Sequence, residues 1–342
     1  MLDWLIDLFY FDDWKTHLSY QSEHPMLFNS LLFFCFFIGF YFVYQAIKRK
    51  INLRIYWVIL FSLYFYYKSS GWYFSLLIFS SIADFALGNL IYKTKGVKNR
   101  RILLVLSILI NLGMLAYFKY TNFLLDNLNQ IFESNFAFQE IFLPIGISFF
   151  TFQTMSYSID LYRRDMKPAK SFADFLFFVS FFPQLVAGPI VRAADFIPQI
   201  RATYNVSKEQ FNRAFLLIIG GLIKKAIIAD YISINFVDRV FDNPMLYNPF
   251  ENLMAIYGYA IQIYCDFSGY SDMAIGIALL LGFSLPENFR TPYNSVSITE
   301  FWRRWHISLS SWLKDYVYIS MGGNRKGTKR TYFNLFITMF LG

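Results

Sequence analysis

From about residue 28 onward this chain is a succession of long apolar runs separated by short charged loops. The runs fall at about 28–46, 55–67, 72–91, 102–118, 141–160, 172–187, 211–229 and 253–283, with another beginning at Tyr332. Runs of about 20 apolar residues match the hydrocarbon core of a bilayer, and only helices or closed barrels satisfy their own backbone there. Hydrophobic residues make up 56% of the 342 and charged residues 16%, against about 45–50% and about 25% in soluble domains. Forty-two Phe and twenty-five Tyr exceed what one soluble core can hide. The expected class is an all-α, polytopic transmembrane protein of the cell (inner, cytoplasmic) membrane, in contact with membrane lipid and forming one domain over residues 1–342.

Loop charge sets the expected sidedness. Lys48, Arg49, Lys50 and Arg54 fill one loop, Lys93, Lys95, Lys98, Arg100 and Arg101 the next, and Arg163, Arg164, Lys167 and Lys170 a third. Residues 119–140 and 238–251 are acidic instead, as are the first 25. The alternation places the amino terminus outside, with 1–26 as an outer-face interfacial segment. The net charge of +8 is thus absorbed by loops and gives no reason to expect nucleic acid. The stretch 172–192 has basic ground on both sides and contains Pro183, Gly188 and Pro189. A broken, re-entrant helix fits it better than a full crossing. Two cysteines and three histidines, unclustered, offer neither a disulfide framework nor a metal site.

Polar residues inside apolar ground are the candidates for chemistry. "SITE" at 297–300 is a capping box, predicting a helix that carries Trp302, Trp305, His306, Leu309, Trp312 and Tyr316 on or beside one face. Arg303 and Arg304 fall off that face. An imidazole there suits proton transfer, and equally a core histidine bonded to backbone. Asp266 and Asp272 lie within the apolar run 261–283. They read as a polar wall of a substrate passage, or as structural partners of an arginine from 290–304. Lys224 and Lys225 close an apolar run, where snorkelling is the simpler account. "GGNRKGTKR" at 322–330 reads as a tight basic turn, although a phosphate-bearing donor or an acidic carrier would also suit it.

Three stretches, "SFFPQLVAGPIVRAADFIPQI" (180–200), "YCDFSGYSDMAIGIALLLGFSLPENFRTPY" (264–293) and "FWRRWHISLSSWLKDYVYISMGGNRKG" (301–327), resemble the bacterial membrane-bound O-acyltransferases, nearest to the alginate O-acetyltransferase branch. The resemblance covers roughly 140–342. It implies tilted and re-entrant helices around a central tunnel, with an acetyl group moved from acetyl-CoA or a carrier-linked acyl thioester to a hydroxyl of an exported, alginate-like polysaccharide. Transfer runs directly or through a periplasmic relay acetyltransferase, with no bound cofactor or metal. His306 takes the first of two polar active-site positions. The second, a histidine of a Trp-His-Gly motif and the presumed base, belongs after Gly342. The implied substrate-binding residues are Trp302, Trp305, Arg303, Arg304, Asp266 and Asp272. The last eleven residues would span only about 16 Å as a helix, so the expectation is a chain incomplete at its carboxy terminus. Teichoic-acid D-alanyl transfer, a lipid or glycan transporter and a non-catalytic scaffold are the alternatives.

Overall fold

The computed structural model describes residues 18–21, 25–133, 136–138 and 141–342. The acidic amino-terminal segment, and with it His17 and His24, lies outside the described residues except at 18–21 and 25–26. Among the described residues the structure is helices and turns, with no strand.

Four long helices come first: α1 (Leu31–Ile47), α2 (Ile51–Ser70), α3 (Phe74–Lys93) and α4 (Val97–Phe132). The run read as 55–67 is therefore not short. Its helix extends to 20 residues, about 30 Å at 1.5 Å per residue, because Arg54 and Lys68 are taken into it. Arg54 reaches the carbonyls of Ile200 at 2.6 Å and Ala202 at 2.8 Å, and Lys68 reaches the Ser19 carbonyl. Among the described residues, Ile51–Lys93 and Val97–Phe132 are the stretches long and apolar enough to cross a membrane, and only 17% of the apolar window in the second is buried. Such an uncovered apolar flank suits hydrocarbon rather than water.

Helix α5 (Ile147–Arg163) leads into the expected break. Helix α6 (Phe172–Ser180) is capped by Ser171 and stops at Phe181. The short α7 (Phe182–Leu185) follows, then a non-helical stretch to Arg192, and then α8 (Ala193–Ile200). The backbone leaves the helix at Phe181 (ψ 106°), and Pro183, lacking an N–H, stands in the first turn of the next helix, where no intrahelical donor is needed. The freed donors find side chains: Phe182 N–H donates to Ser62 Oγ at 3.2 Å, and Ile190 N–H to Ser308 Oγ at 3.0 Å. The two ends of this broken hairpin meet, since Arg201 Nε lies 3.0 Å from Asp174 Oδ2. Phe182 is fully buried, with the rings of Phe61, Phe40 and Phe65 centred 5.0, 5.7 and 5.9 Å away.

Helix α9 (Lys208–Leu222) continues as π-helical turns at Ile223–Ala229 and Ser233–Val237 before ending at Asp242. Side-chain partners there are spaced by five rather than by three or four: Lys225 with Asp230, and Ser233 with Asp238. It packs on α10 (Pro249–Leu280) through glycines. A Cβ on Gly221 would stand 2.5 Å from Gly269 O, and one on Gly276 2.7 Å from Ala214 O. Small residues allow two backbones to approach this closely.

The capping box forms only in part: Glu300 N–H donates to Ser297 Oγ at 3.2 Å, but the Glu300 carboxylate accepts from Val296 N–H at 3.0 Å rather than from Ser297 N–H. The single helix predicted beyond it does not form. Helix α11 (Ile298–Arg304) ends at an extended Trp305, and α12 (Ile307–Trp312) begins after His306, which is left-handed at φ 44°, ψ 55°. The cause is the neighbouring segment 288–290, whose backbone bonds compete with the helix: Ile307 N–H donates to Asn288 O at 2.9 Å, and Arg290 N–H to Arg304 O at 3.0 Å. After π-helical Leu313–Tyr318 and a glycine-rich turn, α13 (Thr328–Leu341) closes the described chain. "GGNRKG" is a tight turn, fastened where Asn334 Nδ2 donates to Gly323 O at 2.8 Å.

Candidate active site

The break at His306 turns its ring out of the helix line and into a cavity. That cavity, about 610 Å³, is walled by Leu112 and Leu115 of α4, Ser148 and Phe152 of α5, Ile190 of the broken hairpin and Leu309 of α12. Phe340 and Leu341 of α13, with Gly342 after it, border it as well. Its size is that of a small-molecule site, mostly apolar with few polar groups. His306 and Ser148 are two of those groups, and Lys119 is a third.

His306 is held by two rings and one amide. Phe267 meets it edge-on with centroids 4.7 Å apart, and Phe289 lies at 6.3 Å. Its Nδ1 is 3.0 Å from Asn288 Oδ1. Asn288, 1% exposed, also receives the Ser308 N–H at 3.2 Å and the Ser308 hydroxyl at 2.9 Å. Its own Nδ2 reaches Ser271 Oγ of α10 at 3.2 Å. One buried amide therefore joins α10, the 286–290 loop and the start of α12.

A small apolar cluster of Met155, Ile190, Trp312 and Tyr316 floors the cavity, with Trp312 Nε1 donating to Phe152 O at 3.0 Å. Tyr316 borders a second depression of about 330 Å³ shared with Asp160, Arg163, Arg192 and Asp315. There the Tyr316 hydroxyl lies 2.9 and 2.8 Å from the two Asp160 oxygens, and Arg192 pairs with Asp315.

The other expected site residues are not brought to His306. Trp302 is 45% exposed and touches Phe301. Trp305 packs among Phe289, Phe301, Tyr264 and Tyr293, so it backs the site without lining the cavity. Trp312, expected on the same face as both, lies instead against Phe152 at 4.7 Å. Arg304 pairs with Glu300 at 2.5 Å, and Arg303 lies exposed. Glu300, in turn, is held below its ordinary carboxyl range by the Val296 N–H and then by Arg304. Asp272 pairs with Lys224 at 2.6 Å and Asp266 with Lys225 at 2.5 Å. Their partners are thus lysines of the neighbouring helix, not arginines from 290–304, and the lysines are ion-paired rather than snorkelling. The π-helical turn explains this, since it lets two consecutive lysines both reach α10.

Sequence reasoning passed over Asn288 and the Asp160–Tyr316 pair. Asn288 sits in "LPENFRTPY", where an asparagine among Pro and Glu looks like loop chemistry. Its role depends on contacts 17 and 20 residues away, which no local period reveals.

A family model described as the membrane-bound O-acyltransferase family matches residues 114–342. A probable alginate O-acetylase AlgI of Pseudomonas putida is 48% identical over 70% of this chain and 50% of its own length. One from Pseudomonas aeruginosa is 43% identical over 93% of this chain and 61% of its own length. A peptidoglycan O-acetyltransferase of Helicobacter pylori is 38% identical over 95% and 67% respectively. The chain spans between half and two thirds of the length of these relatives.

Proposed function

This chain belongs to the membrane-bound O-acyltransferase family, and from that premise we propose that it forms the transfer core of an enzyme acetylating a cell-surface or exported polysaccharide. The proposed donor is a cytoplasmic acetyl thioester, and the proposed acceptor is a sugar hydroxyl, reached directly or through an extracytoplasmic relay. The names of the relatives support this reading: the acceptors they print are alginate and peptidoglycan, both polysaccharides.

In this reading the protein crosses the cytoplasmic membrane several times, with the basic loops at 47–54, 92–101 and 163–170 inside. The hairpin 172–201 dips in and returns to the side it came from. Support comes from its ends, joined by Arg201 and Asp174 and tied by Arg54 to the start of α2. The path for reactants runs between the 610 Å³ cavity and the depression at Tyr316, with the cluster around Trp312 between them.

The observation that carries the assignment is the imidazole of His306 on the wall of a ligand-sized cavity. An acceptor hydroxyl is a poor nucleophile until its proton is partly removed, which an imidazole does at neutral pH. As the oxygen attacks the acetyl carbon, a new C–O bond forms and the carbonyl becomes an oxyanion. The C–S bond then breaks, and the thiolate leaves and is protonated. His306 accepts the hydrogen bond of the incoming hydroxyl. Phe152, Ile190 and Leu309 keep the site dry, limiting loss of the thioester to water. Trp305 and Phe289 support the ring from behind.

The test is transfer of labelled acetyl from a thioester to polysaccharide, in membranes containing the intact gene product or its His306→Ala variant. A loss of about 10²-fold or more is expected with the protein still folded. Wild-type transfer by the variant overturns the assignment.

A further inference from the structure

The hydrogen bonds around Asn288 fix more than its position. A backbone N–H can only donate, and the Ser308 N–H lies 3.2 Å from Asn288 Oδ1. Ser308 Oγ already accepts from Ile190 N–H at 3.0 Å, so its own hydrogen is available to the same oxygen at 2.9 Å. On the other side of the amide, Nδ2 faces Ser271 Oγ at 3.2 Å. Exchanging Oδ1 and Nδ2 would set an NH₂ group against a donor that cannot turn away, so the oxygen faces His306.

An amide oxygen has lone pairs and no hydrogen. His306 Nδ1, 3.0 Å from it, must therefore carry the hydrogen of that bond. A neutral imidazole has one N–H, so Nε2 is left with its lone pair. Among the described residues Nε2 has no hydrogen-bond partner, and it is not among the enclosed polar atoms left without one. His306 lines the cavity, and Nε2 is the ring nitrogen that Asn288 leaves free to face it. Rotation of the ring is opposed by Phe267 and Phe289, which pack against it and against each other, and by the left-handed backbone at His306.

We propose that Asn288 is a positioning residue for the transfer reaction: it locks His306 as the Nδ1–H tautomer and so presents Nε2 to the cavity as a hydrogen-bond acceptor. A donor at that position would bond the acceptor oxygen through its lone pair, making it a weaker nucleophile. An acceptor leaves that lone pair free and draws on the O–H bond, which makes it a stronger one, while the proton itself passes to the presumed base of the family resemblance. The consequence for transfer rests on the functional reading above, whereas the tautomer does not.

Ring ¹⁵N labelling of the intact gene product, with the His306 resonances identified by their loss in a His306→Gln variant, observes this imidazole among the others. With the ring neutral, Nδ1 should show the protonated-type resonance and Nε2 the unprotonated one. This spectrum needs no change at Asn288 and decides the tautomer alone; the reverse assignment overturns the proposal. Asn288→Ala should shift the ring toward Nε2–H and lower kcat by about 10²-fold with the donor KM little changed. Asn288→Asp, which keeps an acceptor oxygen at the same place, should restore the Nδ1–H form. If Asn288→Ala changes the tautomer but leaves kcat within twofold, the positioning role is refuted. If His306→Ala transfers normally while the wild-type tautomer is as stated, the acyl-transfer reading fails and the hydrogen-bond assignment stands.

Discussion

Replacing His306 by glycine and by alanine separates its backbone from its side chain. Both variants lose the imidazole, its bond to Asn288 and its contacts with Phe267 and Phe289. They differ in what the backbone must do at φ 44°, ψ 55°. A residue with a Cβ is disfavoured there by about 1–2 kcal/mol, and glycine is not. Glycine loses more freedom on folding, a penalty of about 0.5–1 kcal/mol relative to alanine. The difference leaves His306→Gly the more stable variant, by about 0.5–1 kcal/mol. An unbroken helix over 297–316 gives the opposite sign, with glycine worse by about 0.8–1.0 kcal/mol. Reversible unfolding of the two variants in mixed micelles, by denaturant titration with matched slopes, reads the difference directly. An alanine variant more stable by about 1 kcal/mol would refute the left-handed break and restore the continuous helix.

Three further outcomes follow from the packing and the ion pairs. Gly269→Ala places a methyl 2.7 Å from Gly221 O and 3.0 Å from Lys225 N and should destabilise by about 1–3 kcal/mol in the same titration; no change would mean that α9 and α10 do not cross so closely. Arg54→Met removes the bonds to Ile200 O and Ala202 O at a cost of about 2–4 kcal/mol and should expose 201–207 to protease, whereas unaltered proteolysis would show that the hairpin's exit is held by something else. For Glu300 the folded-state carboxyl lies below its ordinary range, so its support of α11 is present above the unfolded value and is lost as pH falls through the folded one. Faster Val296 amide exchange in acid should report that loss, and a Glu300→Gln variant should show no such acid step.

The apolar runs were legible because hydrocarbon imposes a length and a sign pattern on the sequence, and the helices start close to the expected places. The break just before Pro183 was legible for a similar reason: proline prevents the preceding helix from continuing through it, whatever lies nearby. The break at His306 was not. Ser297, Glu300 and the aromatic spacing all favour a continuing helix, and what interrupts it is segment 288–290, brought alongside by the turn after α10. The pairing of Asp266 and Asp272 was misjudged likewise, because a π-helical turn changes which residues share a face and leaves little trace in hydropathy. His306 itself was legible as a candidate. The amide that orients it was not, because its partners come from three separate segments.

The π-helical stretch at Ile223–Ala229 also bears on how this region tolerates changes in length. A π turn is an α-helix carrying one residue more than its hydrogen-bond ladder needs. Deleting a single residue there would shorten the helix to a regular α form without breaking it and without altering its apolar character. The flanking turns would keep their facing, because the bulge already absorbs the extra residue, while residues within the stretch would shift by one position. Lys224 and Lys225, inside the bulge, could then no longer both face Asp272 and Asp266, whereas Gly221, before it, would keep its alignment with Gly269. A related chain lacking one residue in this stretch should therefore carry a second change that replaces the Lys225–Asp266 pair, whereas a similar loss in the surface turn at 322–327 requires none.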